Sequence, residues 1–150
     1  MKNCAALLSI SVFILASSMA DYNKPIGVAA VDMQRIINAD REPQNWLAHG
    51  RTYDEQRFSP LTTINADNVS ELGLAWYLDL GTDRGQEATP IVVDGVIYVS
   101  GAWNIVYAID ARSGELLWQH NPETSRVWVA EYAVHDAVSR GVAVWDGKVI

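Results

Sequence analysis

Thr89-Pro90-Ile91-Val92-Val93-Asp94-Gly95-Val96-Ile97-Tyr98 carries the pattern that decides the architecture, and Gly141-Val142-Ala143-Val144-Trp145-Asp146-Gly147-Lys148-Val149-Ile150 repeats it. In each copy two β-prone runs flank an Asp-Gly pair, whose residues tolerate the positive φ angles of a two-residue hairpin. Between the copies, Ile105 to Asp110 and Glu115 to His120 read as a second hairpin, with Gly114 of the Ala111-Arg112-Ser113-Gly114 loop at a left-handed position. Four consecutive strands therefore precede the return of the first hairpin, at a period of roughly 50 residues. A sandwich has no such recurring unit. The expectation is an all-β fold, a β-propeller whose second blade begins at Gly141.

Upstream, the alternating run Leu74 to Leu80 predicts one further strand, and Gln44 to Leu61 is polar and aromatic with little periodicity. Val31, Met33, Ile36 and Ile37 are spaced for a short docking helix over Val31 to Asn38, which Pro43 keeps from continuing far. At the start of the chain, Lys2, the apolar Ala5 to Ala16 and the small residues Ser17 to Ala20 form an export signal peptide over residues 1–20, with cleavage expected after Ala20. The apolar stretch is shorter than the roughly 20 residues that span a bilayer.

Cys4, the single cysteine, lies within that peptide, so residues 21–150 contain no thiol and must be stabilised by packing. The 18 acidic against 11 basic residues, with the basic ones scattered singly, argue against nucleic acid as a partner. His49 and His120 have no metal-ligand spacing with each other or with a cysteine, and no metal ligand is assigned within the 150 residues. Because Val149-Ile150 opens an apolar run after Asp146-Gly147, the last strand is expected to continue further, and residues 21–150 are read as the N-terminal part of a larger propeller domain.

Ala108, Asp110, Gly114 and Trp118 fall at the spacing AxDxxxGxxxW, which is similar to a tryptophan-docking blade repeat. Gly114 allows the turn, and the Trp118 ring is expected to pack between blades. The segment GRTYDEQRFSPLTTIN at Gly50 to Asn65, followed by LGLAW at Leu72 to Trp76, resembles the lead-in of pyrroloquinoline quinone (PQQ) dependent alcohol dehydrogenases, quinoprotein or quinohaemoprotein, and the resemblance covers Asn45 to Ile150. It implies an eight-bladed ring that the lead-in helps to close. Arg51, Asp54 and Arg57 of the lead-in are read as structural hydrogen-bonding groups.

The same resemblance assigns the site. Gly85-Gln86-Glu87-Ala88-Thr89-Pro90 matches the place where the family sets a glutamate beside the quinone, which makes Glu87 the first cofactor-binding candidate. PQQ carries three carboxylates, so an acid beside it needs either a proton, which burial would favour, or nearby cations. Arg140, in Ser139-Arg140-Gly141-Val142-Ala143, falls on the family's cofactor-binding arginine, whose fork can hold a quinone carboxylate through two parallel hydrogen bonds. Alcohol-oxidising members carry two adjacent cysteines where this chain has Val134-His135. His135 can stack on the quinone or donate to it and is a weaker cofactor-binding candidate, while a purely structural role is the simpler reading.

For the whole protein the resemblance implies a periplasmic oxidoreductase that converts a small alcohol to the aldehyde or ketone, with PQQ accepting the electrons and Ca²⁺ as Lewis acid. It also implies a cytochrome-type acceptor, and it admits haem c in a C-terminal domain and association with the membrane through other subunits. The general base and calcium ligands belong to later blades in that family, so no catalytic residue is assigned here and the 150 residues alone are expected to be inactive. Two other functions share the repeat: a non-enzymatic propeller scaffold, and a quinoprotein that oxidises sugars or other hydroxyl compounds.

Overall fold

The computed structural model describes residues 29–127, 129 and 137–150; the expected export peptide and the pair Val134-His135 lie outside them. Four strands, β1 (Ile91–Val93), β2 (Val96–Ser100), β3 (Val106–Asp110) and β4 (Leu116–His120), form one antiparallel sheet in chain order. The chain then enters a second sheet as the hairpin β5 (Val144–Trp145) and β6 (Lys148–Val149).

Both Asp-Gly turns take the expected left-handed conformations: φ is 50° at Asp94, 85° at Gly95, 48° at Asp146 and 74° at Gly147. The first turn sets the register Ile91↔Tyr98, Val92↔Ile97, Val93↔Val96. With side chains alternating across the sheet, this puts Ile91, Val93, Val96 and Tyr98 on one buried face. Ala108, Leu47, Ala29, Val31 and Val144 complete that core, so the N-terminal segment and the second hairpin share it.

The β3–β4 loop is ordered by Asp110, whose carboxylate accepts from the backbone N–H groups of Ser113 and Arg112 at 2.8 and 2.9 Å. Those two bonds, Ser113 first, hold the carboxyl below its usual range. Gly114 sits at φ 75°, and a Cβ there would lie 2.5 Å from the Trp76 ring. Trp76 also donates from Nε1 to Ala111 O at 3.2 Å. The lead-in and the blade repeat thus meet through one indole. Trp118 makes a tilted contact with Tyr98, with centroids 6.0 Å apart. Together with Val149 and Ile150 these two rings line a cavity of about 340 Å³, so Trp118 does face the neighbouring hairpin.

Leu74 to Leu80 departs from expectation, because no strand forms there. Alternation favours an extended backbone, but a strand exists only as part of a ladder, and among the described residues none pairs with this run. Leu74 and Tyr77 point into solvent. Trp46, in the stretch without periodicity, instead makes an antiparallel bridge to Val92, with N···O distances of 2.8 and 3.0 Å.

The short helix α1 (Met33–Ile37) is capped by Asp32, whose side chain accepts from Arg35 N at 2.8 Å. From α1, Arg35 reaches Glu42 and, at 2.8 Å, Asp94 in the first hairpin turn. Asn45 Oδ1 accepts from Asp94 N. The second turn is held in parallel, with Asp146 N donating to Val31 O and Gly147 N to Ala29 O, both at 2.8 Å. One N-terminal segment therefore clasps both hairpin turns at the same end of the sheets.

Candidate cofactor site

At the opposite end of β1 the two blades meet. Thr89 and Gly141, equivalent positions of the two sequence copies, form a parallel bridge in which Thr89 N donates to Arg140 O at 3.0 Å. Gly141 has φ 135°, and a Cβ there would approach Thr89 O to 2.9 Å, so only glycine permits the contact without a shift of backbone. The bridge sets the two lead-ins, residues 85–89 and 137–141, side by side.

That placement brings Glu87 and Arg140 together, with Arg140 Nε 3.1 Å from Glu87 Oε2. Their side chains are 48% and 85% exposed, respectively. Glu87 is not buried here, and its carboxylate is paired with the adjacent guanidinium. Arg140 approaches Glu87 through Nε and its side chain is largely exposed, so guanidinium donors remain for a carboxylate ligand. His135, the third candidate, lies outside the described residues.

A second layer supports the pair. Ser100 is buried, and its hydroxyl lies 2.6 Å from that of Ser139, immediately before Arg140. Trp103 N donates to Ala137 O at 2.6 Å. A Cβ on Gly101 would meet the Tyr107 ring at 2.9 Å and Gln86 Nε2 at 3.1 Å, so its lack of a side chain makes room for the residue preceding Glu87. None of these was singled out from sequence. Serine hydroxyls carry no periodic signal, and the need for Gly141 appears only when the two sequence copies are laid against each other in space.

The other expectations resolve residue by residue. Arg51 is buried, adopts φ 72° and donates to Ala39 O and Asp40 Oδ1, a structural role as expected. Arg57 lies against the His49 ring, and Asp54 is exposed. Among the described residues no three His, Cys, Asp or Glu side chains gather to hold a metal ion, and no helix is long and apolar enough to cross a membrane.

A four-stranded sheet followed by the first hairpin of a second one is the arrangement of a propeller blade and the start of the next. A sequence profile for the glucose/ethanol/alcohol dehydrogenase beta-propeller domain matches residues 46–149, and the chain belongs to that family. Quinohemoprotein alcohol dehydrogenase ADH-IIG of Pseudomonas putida is 59% identical over 121 residues, 81% of this chain and 17% of the relative. Its solved structure superposes with a TM-score of 0.78, covering 81% of this chain and 18% of that one. The dehydrogenase subunit of an alcohol dehydrogenase (quinone) from Komagataeibacter europaeus is 48% identical over 146 residues, 97% of this chain and 18% of the relative. A 1-butanol dehydrogenase (cytochrome c) from Thauera butanivorans is 52% identical over 104 residues, 69% of this chain and 15% of the relative. The chain thus spans less than a fifth of the length of these relatives.

Proposed function

We propose that the whole protein is an exported, periplasmic PQQ-dependent dehydrogenase that oxidises a small alcohol to the aldehyde or ketone. The observation that carries this reading is the Glu87–Arg140 pair, held 3.1 Å apart where two blades meet. In this reading Arg140 grips a quinone carboxylate through its remaining guanidinium donors, and Glu87 aims the guanidinium while remaining available as an oxygen neighbour of the quinone. PQQ, when bound, supplies a two-electron acceptor for the alcohol carbon. The general base and the ligands for Ca²⁺ are assigned to later blades.

The names of the relatives support the finer points. Quinohemoproteins among them favour haem c elsewhere in the protein, and the Thauera relative favours a cytochrome as electron acceptor. Association with further subunits is the corresponding proposal drawn from the dehydrogenase subunits; attachment to the membrane through them is proposed from the family resemblance alone. Export rests on Lys2, the apolar Ala5 to Ala16 and the small residues up to Ala20.

The test is reconstitution of the full-length apoprotein with PQQ and Ca²⁺, following alcohol-dependent reduction of an artificial dye. Saturable activity is expected, and Glu87→Ala and Arg140→Ala should each raise the PQQ concentration for half-activation by about 10- to 100-fold, the effect of losing one charge-assisted contact. A folded protein that neither binds PQQ nor reduces the dye would instead be a propeller that acts by binding partners.

A further inference from the structure

Trp103 follows β2 in a conformation that tryptophan rarely adopts, with φ 62° and ψ 20°, and Asn104 beside it is also left-handed at φ 58°. Two consecutive strained residues persist only where their surroundings hold them. The surroundings here are three separate pieces of chain. Trp103 N donates to Ala137 O at 2.6 Å, and Trp103 O accepts from Thr124 Oγ1 at 2.9 Å. Over the indole lie two guanidinium groups, Arg84 with Cζ 4.5 Å from a ring centroid and Arg126 at 4.9 Å. The ring forms one wall of an open cleft of about 560 Å³ that both arginines also line.

The places from which these contacts come give them a purpose. Arg84 lies three residues before Glu87, and Ala137 lies three residues before Arg140. Trp103 therefore grips both lead-ins one short step ahead of the ion pair, and it reaches the incoming chain at Thr124 and Arg126 as well. We infer that Trp103 is the positioning residue of the quinone site, fixing the separation and aim of Glu87 and Arg140 without itself touching the cofactor. This role rests on the quinone reading above. The cation–ring contacts are individually weak at an exposed site. Their effect is geometric: Arg84 ties the segment leading to Glu87 to the indole, while the bond from Trp103 N to Ala137 O ties the segment leading to Arg140 to the same residue.

The experiment is a titration of full-length apoprotein with PQQ, read by quenching of tryptophan fluorescence and by the quinone absorption band, with thermal unfolding recorded in parallel. Trp103→Ala is expected to weaken PQQ binding about tenfold or more, and Trp103→Phe, which keeps a ring face for the guanidinium groups, to recover most of the loss. If Trp103→Ala does not fold, Arg126→Ala, which removes an exposed side chain, carries the same test with an expected weakening of about two- to fivefold. A lowered unfolding temperature with unchanged PQQ affinity in the folded variants overturns the positioning role and leaves the quinone reading intact. Absence of saturable binding by the unsubstituted protein overturns the quinone reading, and this role with it.

Discussion

Gly141 shows how much of the site depends on an atom that is absent. Its φ of 135° and the 2.9 Å approach of a hypothetical Cβ to Thr89 O leave no room for alanine, and the obstacle is backbone that cannot rotate aside. Gly141→Ala should destabilise the folded protein by about 1–3 kcal/mol. It should also separate the lead-ins, so that PQQ affinity falls even though neither ion-pair partner has changed; titration of the variant beside the parent checks both effects. Gly114 presents the complementary case, because there the obstacle is the Trp76 side chain, 2.5 Å from the added carbon. Gly114→Ala alone should cost about 1–3 kcal/mol in urea unfolding, and the double variant with Trp76→Leu should lose less than the sum of the two single variants. The sequence exposed Gly114 through its motif, whereas Gly141 looked like any residue opening a strand. The difference is that a turn is local in sequence and an inter-blade contact is not.

Among the elements, the clasp from α1 to the first hairpin turn has a defined dependence on pH. Arg35, hydrogen-bonded to Glu42, holds that carboxyl below the usual carboxylate range, with a smaller contribution from Asn45 against the opposing effect of burial. A carboxyl depressed in this way contributes stability that is complete above its ordinary value of 4.5 and is lost as the pH falls through the lower, folded value. As the pH falls below 4.5 and through that lower value, therefore, the amide of Asp94, which donates to Asn45, should exchange its proton markedly faster relative to the β2–β3 ladder. In an Arg35→Met variant the exchange should already be fast at neutral pH and respond less to acid. Of the elements themselves, the hairpins were legible because turn chemistry and alternation agree at Asp94-Gly95 and Asp146-Gly147. Leu74 to Leu80 was misread because alternation reports an extended chain and says nothing of a partner, and Trp46 was missed because a single bridge leaves no period.

For the molecule as a whole, binding a ligand to the native state alone raises the free energy of unfolding, by about 2.7 kcal/mol at a ligand concentration 100 times Kd. Full-length apoprotein should accordingly gain thermal stability on adding PQQ. Arg140→Ala should show a smaller gain at the same PQQ concentration, which separates a cofactor role from a surface charge that merely pairs with Glu87. The propeller was legible at this scale because the sequence copies recur with the same turn. Glu87 and Arg140 were each singled out by family resemblance, and the structure adds that they pair, across the bridge between Thr89 and Gly141. The hub at Trp103 was not legible at all, since its ligands at Arg84, Thr124, Arg126 and Ala137 are scattered along the chain and share no motif.

The N-terminal clasp also bears on the order in which the protein is made. Ala29, Val31 and Arg35 leave the ribosome early, yet the groups they bind are the turn at Asp94 and, later still, the turn at Asp146-Gly147. During synthesis the segment has no hairpin turn to hold until the first blade has begun to emerge, and its bonds to Asp146 and Gly147 wait for the second, so its apolar residues stay uncovered through the early part of this stretch. A chain arranged in this way stays loose through its early synthesis and closes late, which keeps it open to chaperones, or to threading through a narrow pore, for as long as possible.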